Sequence, residues 1–168
     1  MNDNATELPA ELRFKHGSIF YPMLSTFMIA TSGLEGIFRT DNPLGIKAGQ
    51  DYVLEGKIHK EFRIEPYRVY NNAQKGKIKS SDTIIHMCSM LVNICYESVK
   101  DKNDNSPLFE FFRHVRNASS HNNSFNFFNH EPVRETKWRN LTIDHNLKGA
   151  NNPLYGRQCF GDYLGIAD

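Results

Sequence analysis

Ser106-Pro107-Leu108-Phe109-Glu110-Phe111-Phe112-Arg113-His114-Val115-Arg116-Asn117-Ala118-Ser119-Ser120-His121 is the stretch from which the rest of the chain is read. Ser106 and Pro107 suit the N-cap and first position of a helix, because a serine hydroxyl accepts an orphan amide and proline lacks the amide that would be wasted there. Leu108, Phe111, Phe112, Val115 and Ala118 recur at three-and-four spacing and give one apolar face. Arg113 and Arg116 flank that face on one side, His114 and His121 on the other. The segment ends in polar residues, with Asn122-Asn123 favouring a frayed end.

Working back from it, residues 80–99 carry Ile84, Met87, Cys88, Leu91, Ile94, Cys95 and Val99 behind the capping candidates Ser80, Ser81 and Asp82, which predicts another helix. Residues 19–38 show Phe20, Met23, Leu24, Phe27, Met28, Leu34 and Phe38 at helical spacing, with Pro22 in the first turn. This segment is expected to be a core helix with a wide buried face. Its Ser25, Thr26, Ser32 and Glu35 interrupt any run long enough to span a membrane. Thr40-Asp41-Asn42-Pro43-Leu44-Gly45 is a turn. Residues 48–62 are ambiguous: Val53, Leu54, Ile58 and Phe62 suit a helix, Gly56 weakens it, and Pro66 should break or kink whatever follows.

Downstream the period changes. Residues 136–143 are rich in strand formers, residues 144–146 and 149–153 are turn material, and residues 158–166 offer a returning strand or a short terminal helix. The expected fold is mainly α, a bundle over about residues 14–123 with a small C-terminal β-hairpin appendage over about 134–168, all in one domain. Trp138 is expected to pack on the bundle.

Composition narrows the function. A chain of 168 residues with 39% hydrophobic and 12% aromatic residues is folded, not disordered. Its 20 Lys+Arg against 19 Asp+Glu leave a net charge of +1, so any polyanion binding must come from local clustering. Arg63, Arg68, Lys75, Lys77 and Lys79, opposed only by Glu65, are the one such cluster. It can hold a phosphate backbone or be a solvated loop. Cys88, Cys95 and Cys159 are too few for a disulfide framework, and Met1 to Arg13 lacks the pattern of a signal peptide. A cytoplasmic protein with no membrane segment is expected.

Arg116 and His121 pair a permanently charged fork for phosphate oxygens with a side chain that exchanges protons near neutral pH. That combination suits RNA cleavage, in which a base activates the 2′-hydroxyl and a cation stabilises charge on phosphorus. Asn117 can orient the phosphate or cap the helix end. No cofactor is needed, and no metal is expected: His114 and His121 sit two turns apart, about 10 Å along the axis. Residues five apart on an ideal helix differ by about 140° in direction. Arg116 and His121 can serve one substrate only if the helix frays after Ser120 or two copies meet.

Arg116-Asn117-Ala118-Ser119-Ser120-His121 resembles the R-N-x-x-x-H form of the R-x(4-6)-H motif of the HEPN superfamily. The loose motif also fits Arg139 and His145, in strand-and-turn context. The strict form occurs once, where composition alone gives roughly 0.04 matches. The run Phe111 to Ala118, Trp138 and Gly161-Asp162-Tyr163-Leu164 look similar to the small bacterial and plasmid-borne branch. The resemblance implies a dimeric four- to five-helix bundle and a metal-independent endoribonuclease of a toxin–antitoxin or defence system. By it Arg116 and His121 would be catalytic and Asn117 supporting, with Arg113, His114 and Ser120 as substrate contacts. It equally implies an alternative, since some relatives are noncatalytic modules that bind RNA, a nucleotide or a partner protein such as an antitoxin.

Overall fold

The computed structural model describes residues 17–57, 61–166 and 168. The N-terminal lead Met1 to Arg13 and Ile58 lie outside the described residues. The protein is mainly helical, with four α-helices and two small antiparallel hairpins among the described residues. In chain order these are α1 (Tyr21–Phe38), β1 (Tyr52–Leu54), β2 (Phe62–Ile64), α2 (Pro66–Gln74), α3 (Ser80–Val99), α4 (Pro107–Ser120), β3 (Thr136–Trp138) and β4 (Leu141–Ile143).

The expected helix start at Ser106 is realised: its hydroxyl accepts from the Phe109 amide at 3.2 Å, and Pro107 is the first helical residue. Ser80 is the first residue of α3, with Lys79 at the cap and no side-chain cap bond. Residues 48–62 hold no helix among those described. Tyr52↔Ile64, Val53↔Arg63 and Leu54↔Phe62 pair as a hairpin instead, the state that β-branched and aromatic residues favour. Pro66 does not break a helix but opens one, because at the first turn its missing amide costs nothing. α2 is tied back to the end of α1 by Gln74 Nε2, which donates to Ile37 O at 3.0 Å. At that junction Leu44 lies where a side chain on Gly36 would have to go, 2.7 Å from an ideal Cβ, so the close approach requires glycine.

The core sits elsewhere than expected. On α1 only Gly36 is buried, while Met28 and Ile29 are exposed. Its Ser25, Thr26, Thr31 and Ser32 hydroxyls donate to carbonyls four residues back, which satisfies them without tertiary partners. The buried cluster instead joins Cys88 of α3 and Phe111, Val115 and Ala118 of α4 to Phe125, Phe127, Ile143, Leu154, Cys159, Phe160 and Leu164. The C-terminal part is therefore half of the core, not an appendage to it. Aromatic rings carry the joint: Phe111 meets Trp138 at 5.8 Å and Phe125 meets Tyr163 edge-on at 5.3 Å.

The C-terminal hairpin is tighter than the sequence implied. β3 and β4 lie within residues 136–143, pairing Thr136↔Ile143 and Trp138↔Leu141, and Arg139 turns the chain at φ 54°. Residues 158–166 form neither a strand nor a helix; they contribute the isolated bridges Ser124↔Gln158 and Phe160↔Leu164. Asparagine side chains replace the missing ladders. Asn152 Nδ2 donates to Asp144 O at 2.8 Å and Leu147 O at 2.9 Å, and Asn123 pairs with both backbone groups of Phe160. No described helix is long and apolar enough to cross a membrane.

Candidate functional site

α4 buries Phe111, His114, Val115 and Ala118, the i, i+3, i+4, i+7 positions of one stripe. Its regular part ends at Ser120. His121 is the C-cap with φ −106° and ψ 50°, its amide donating to Asn117 O and Ala118 O, and Asn122 and Asn123 follow at φ 56° and 60°. The chain thus leaves the helix at His121, one of the two conditions under which the 140° separation of Arg116 and His121 loses its force.

Arg116 faces α3. Its Nη2 donates to Glu97 Oε1 at 2.8 Å, Nη1 donates to Asn117 Oδ1 at 3.3 Å, and the guanidinium carbon lies 5.5 Å from the Tyr96 ring centre. Its Nε is buried with no hydrogen-bond partner among the described residues. Glu97 also accepts from Lys100 at 2.7 Å. The Lys100 hydrogen bond first, then that of Arg116, hold the Glu97 carboxyl below the usual range. Ser120 extends the same seam, its hydroxyl donating to Asn93 Oδ1 at 2.6 Å.

His121 is exposed and opens onto an open hollow of about 480 Å³ with Ser120, Asn122, Phe125, Asn126 and Tyr155 on its walls. Arg116, Asn117 and Ser120 are therefore gathered at the α3–α4 seam, and Ser120 also borders the hollow of His121. Arg116 does not line that hollow.

Arg113 and His114 are placed differently from the expected substrate contacts. Arg113 Nη1 donates to Glu131 Oε1 at 2.7 Å, and its Nε and Nη2 donate to Glu110 Oε2 at 3.1 and 2.9 Å. Arg134 adds a second cation on Glu110 at 3.2 Å. His114 is 1% exposed, with Phe127 edge-on at 5.3 Å and Arg113 Nη2 3.1 Å from Nε2. Burial, and secondarily the Arg113 charge, push its pKa down to about 4. A neutral ring accepting from Arg113 at Nε2 carries its proton on Nδ1. Position 114 belongs to the buried stripe, where its ring packs on Phe127, while Arg113, part-buried, ties α4 to Glu131.

The sequence alone does not single out Asn93, Tyr96 and Glu97. The available signal was the spacing of Asn93, Glu97 and Lys100 at i, i+4 and i+7 along one edge of α3. Cys159 is fully buried, and burial pushes its thiol up to about 12, which suits packing and not nucleophilic attack. Among the described residues no three His, Cys, Asp or Glu side chains gather as metal ligands. No family model, curated protein or solved structure matches the chain.

Proposed function

We propose that the chain is a HEPN-like, metal-independent endoribonuclease acting on single-stranded or loop RNA. The observation that carries the reading is the exit of the chain from α4 at His121. It sets an exposed imidazole beside an open hollow, one turn beyond Arg116 and Asn117. His121 would take the proton of a ribose 2′-hydroxyl, whose oxygen attacks the adjacent phosphorus. The bond to the 5′-oxygen breaks, that oxygen is protonated from water, and a 2′,3′-cyclic phosphate remains. Arg116 would donate to the phosphate oxygens as charge builds, with Asn117 orienting its guanidinium and Ser120 contacting the strand between them.

Because Arg116 does not line the hollow of His121 in one protomer, a homodimer that brings two α4 ends together is part of the proposal. A cytoplasmic toxin or defence protein restrained by an antitoxin fits such chemistry. The ion pair between Arg116 and Glu97 favours a second reading, a noncatalytic dimeric module that binds RNA, a nucleotide or a protein partner.

The test is incubation of purified protein with RNA in the presence of chelator, comparing wild type with His121→Ala and Arg116→Ala. Loss of cleavage in both variants is expected, with cyclic phosphate ends on the wild-type products. Cleavage unchanged in both would sink the site assignment, and no cleavage by any of the three would favour the binding module. Light scattering after size exclusion reads the dimer separately.

A further inference from the structure

The β1–β2 hairpin and the basic segment after it are left unused by that site. On one side of the hairpin lie Tyr52, Leu54, Phe62 and Ile64, all exposed; Tyr52 is 66% and Phe62 63% accessible. A two-stranded hairpin is marginal alone in water, and this one leaves its apolar side uncovered. Tyr67, 42% accessible, follows at the first turn of α2.

The cations that follow the hairpin in the chain are clustered and, apart from Arg63, unpaired among the described residues. Arg39, Arg113, Arg134 and Arg157 each sit on a carboxylate, and Arg63 sits on Glu61. Arg68, Lys75, Lys77 and Lys79 are exposed and have no ion-pair partner among the described residues. Arg68 and Lys75 are seven residues apart across α2, which puts them on one face about 10 Å apart. Gly76, at φ 67°, then turns the chain and keeps Lys77 and Lys79 at the same corner, ahead of Ser80. Four unneutralised cations within twelve residues, in a chain whose net charge is +1, are the complement of a polyanion.

We propose that the β1–β2 hairpin, α2 and the α2–α3 corner form one surface for single-stranded nucleic acid, with the four cations on phosphates and Tyr52, Phe62 and Tyr67 stacking on bases. A cationic track with exposed rings is the arrangement by which proteins hold unpaired strands without reading sequence. That the strand is RNA rests on the ribonuclease reading. From Lys79 to Asn93 at the α3–α4 seam α3 spans about 20 Å, a distance bridged by roughly six nucleotides at the stacked rise.

The experiment is fluorescence anisotropy with a labelled unpaired RNA of about 15 nucleotides, near the upper site size of one binding module. The parent is full-length His121→Ala, which holds RNA without cutting it. Arg68→Gln/Lys75→Gln/Lys77→Gln/Lys79→Gln is expected to lose at least roughly tenfold in affinity, and to make the dependence of log K on log salt shallower by about 3. Phe62→Leu/Tyr67→Leu is expected to lose a similar factor with the salt slope unchanged, since stacking releases no counterions. Binding within twofold of the parent in either variant overturns the surface, as does a parent that does not bind RNA. A fall from dimer to monomer in the Leu variant also overturns it, because the hairpin face is then a protein interface. Equal binding by the parent and the charge variant, with RNA cleaved alike by the wild type and by the same four substitutions in a chain that keeps His121, rejects this surface and leaves the ribonuclease reading standing. Weakened binding in both variants with no cleavage by the wild type does the reverse.

Discussion

Glu97 Oε1 accepts a 2.8 Å hydrogen bond from Arg116 Nη2, and Tyr96 of the same helix lies under the guanidinium. α3 thus both positions the proposed phosphate-binding arginine and competes for its charge. The pair is solvent-exposed, so the competition is modest. In the His121→Ala background, Glu97→Gln should tighten RNA binding by roughly two- to fivefold at low salt, the range of exposed ion pairs. Anisotropy titration measures this. Weaker binding in Glu97→Gln would show that the carboxylate's positioning role outweighs its competition.

His114 makes stability depend on pH. Its folded pKa of about 4 lies below the unfolded value of 6.5, so the unfolded chain takes up the proton first as pH falls. Its contribution is full above pH 6.5 and is lost as pH falls from there toward 4, on the order of 3 kcal/mol across the window. Glu131 adds a second loss lower down. Burial is the largest single influence and disfavours its charge, but the Arg113 hydrogen bond, the Phe128 amide and the Arg113 and His114 charges together outweigh it and hold its pKa below the usual 4.5, so its contribution is lost as pH falls through that lowered value. Urea melts of wild type and His114→Phe should differ mainly in slope between pH 6.5 and about 5, the variant declining less there, with the carboxylate losses common to both below that. RNA cleavage by His114→Phe should stay within about twofold, because the ring is buried away from the hollow.

Thiol labelling should separate the three cysteines. Cys88 and Cys159 are buried, and Cys95 is half-buried near Met23 Sδ at 3.9 Å. Burial raises the pKa of all three. Under native conditions Cys95 should react first and slowly, with Cys159 labelled only on unfolding. Peptide mapping after brief alkylation reads the order, and early labelling at Cys159 would contradict its burial.

The helices with local start signals were legible in the sequence. Ser106-Pro107 announces α4 because cap chemistry is local, and the apolar period of α3 needs no partner to be seen. α2 was hidden because Pro66 means both a stop and a start, and only the residues after it decide which. The core is hidden for a different reason. Phe125, Phe127, Leu154 and Phe160 are buried by an irregular chain, where no period of 2 or 3.6 marks the inward side. At the site, the spacing of Arg116, Asn117 and His121 is visible in the chain. Glu97 and Asn93 reach them only across a helix interface, which spacing does not encode.

Asn123 fixes the chain just beyond His121. Its Nδ2 donates to Phe160 O at 2.9 Å, its Oδ1 accepts from Phe160 N at 2.8 Å, and its carbonyl accepts from Cys159 N at 2.8 Å. The residue is buried and sits at φ 60°, which asparagine tolerates better than most. Asn123→Ala removes both side-chain bonds and leaves Phe160 N and O without these partners. That should cost about 2–4 kcal/mol and lower Tm by roughly 5–15 °C in a chain of this size. Asn123→Gly relieves the positive φ but not the lost bonds, so it should recover only about 1 kcal/mol. Thermal melts read the totals. Amide exchange at Cys159 reads the local effect, since its N–H is held by the Asn123 carbonyl. Protection at Cys159 unchanged in both variants would mean that the helix end at His121 is held by packing of Phe125 and not by this clamp.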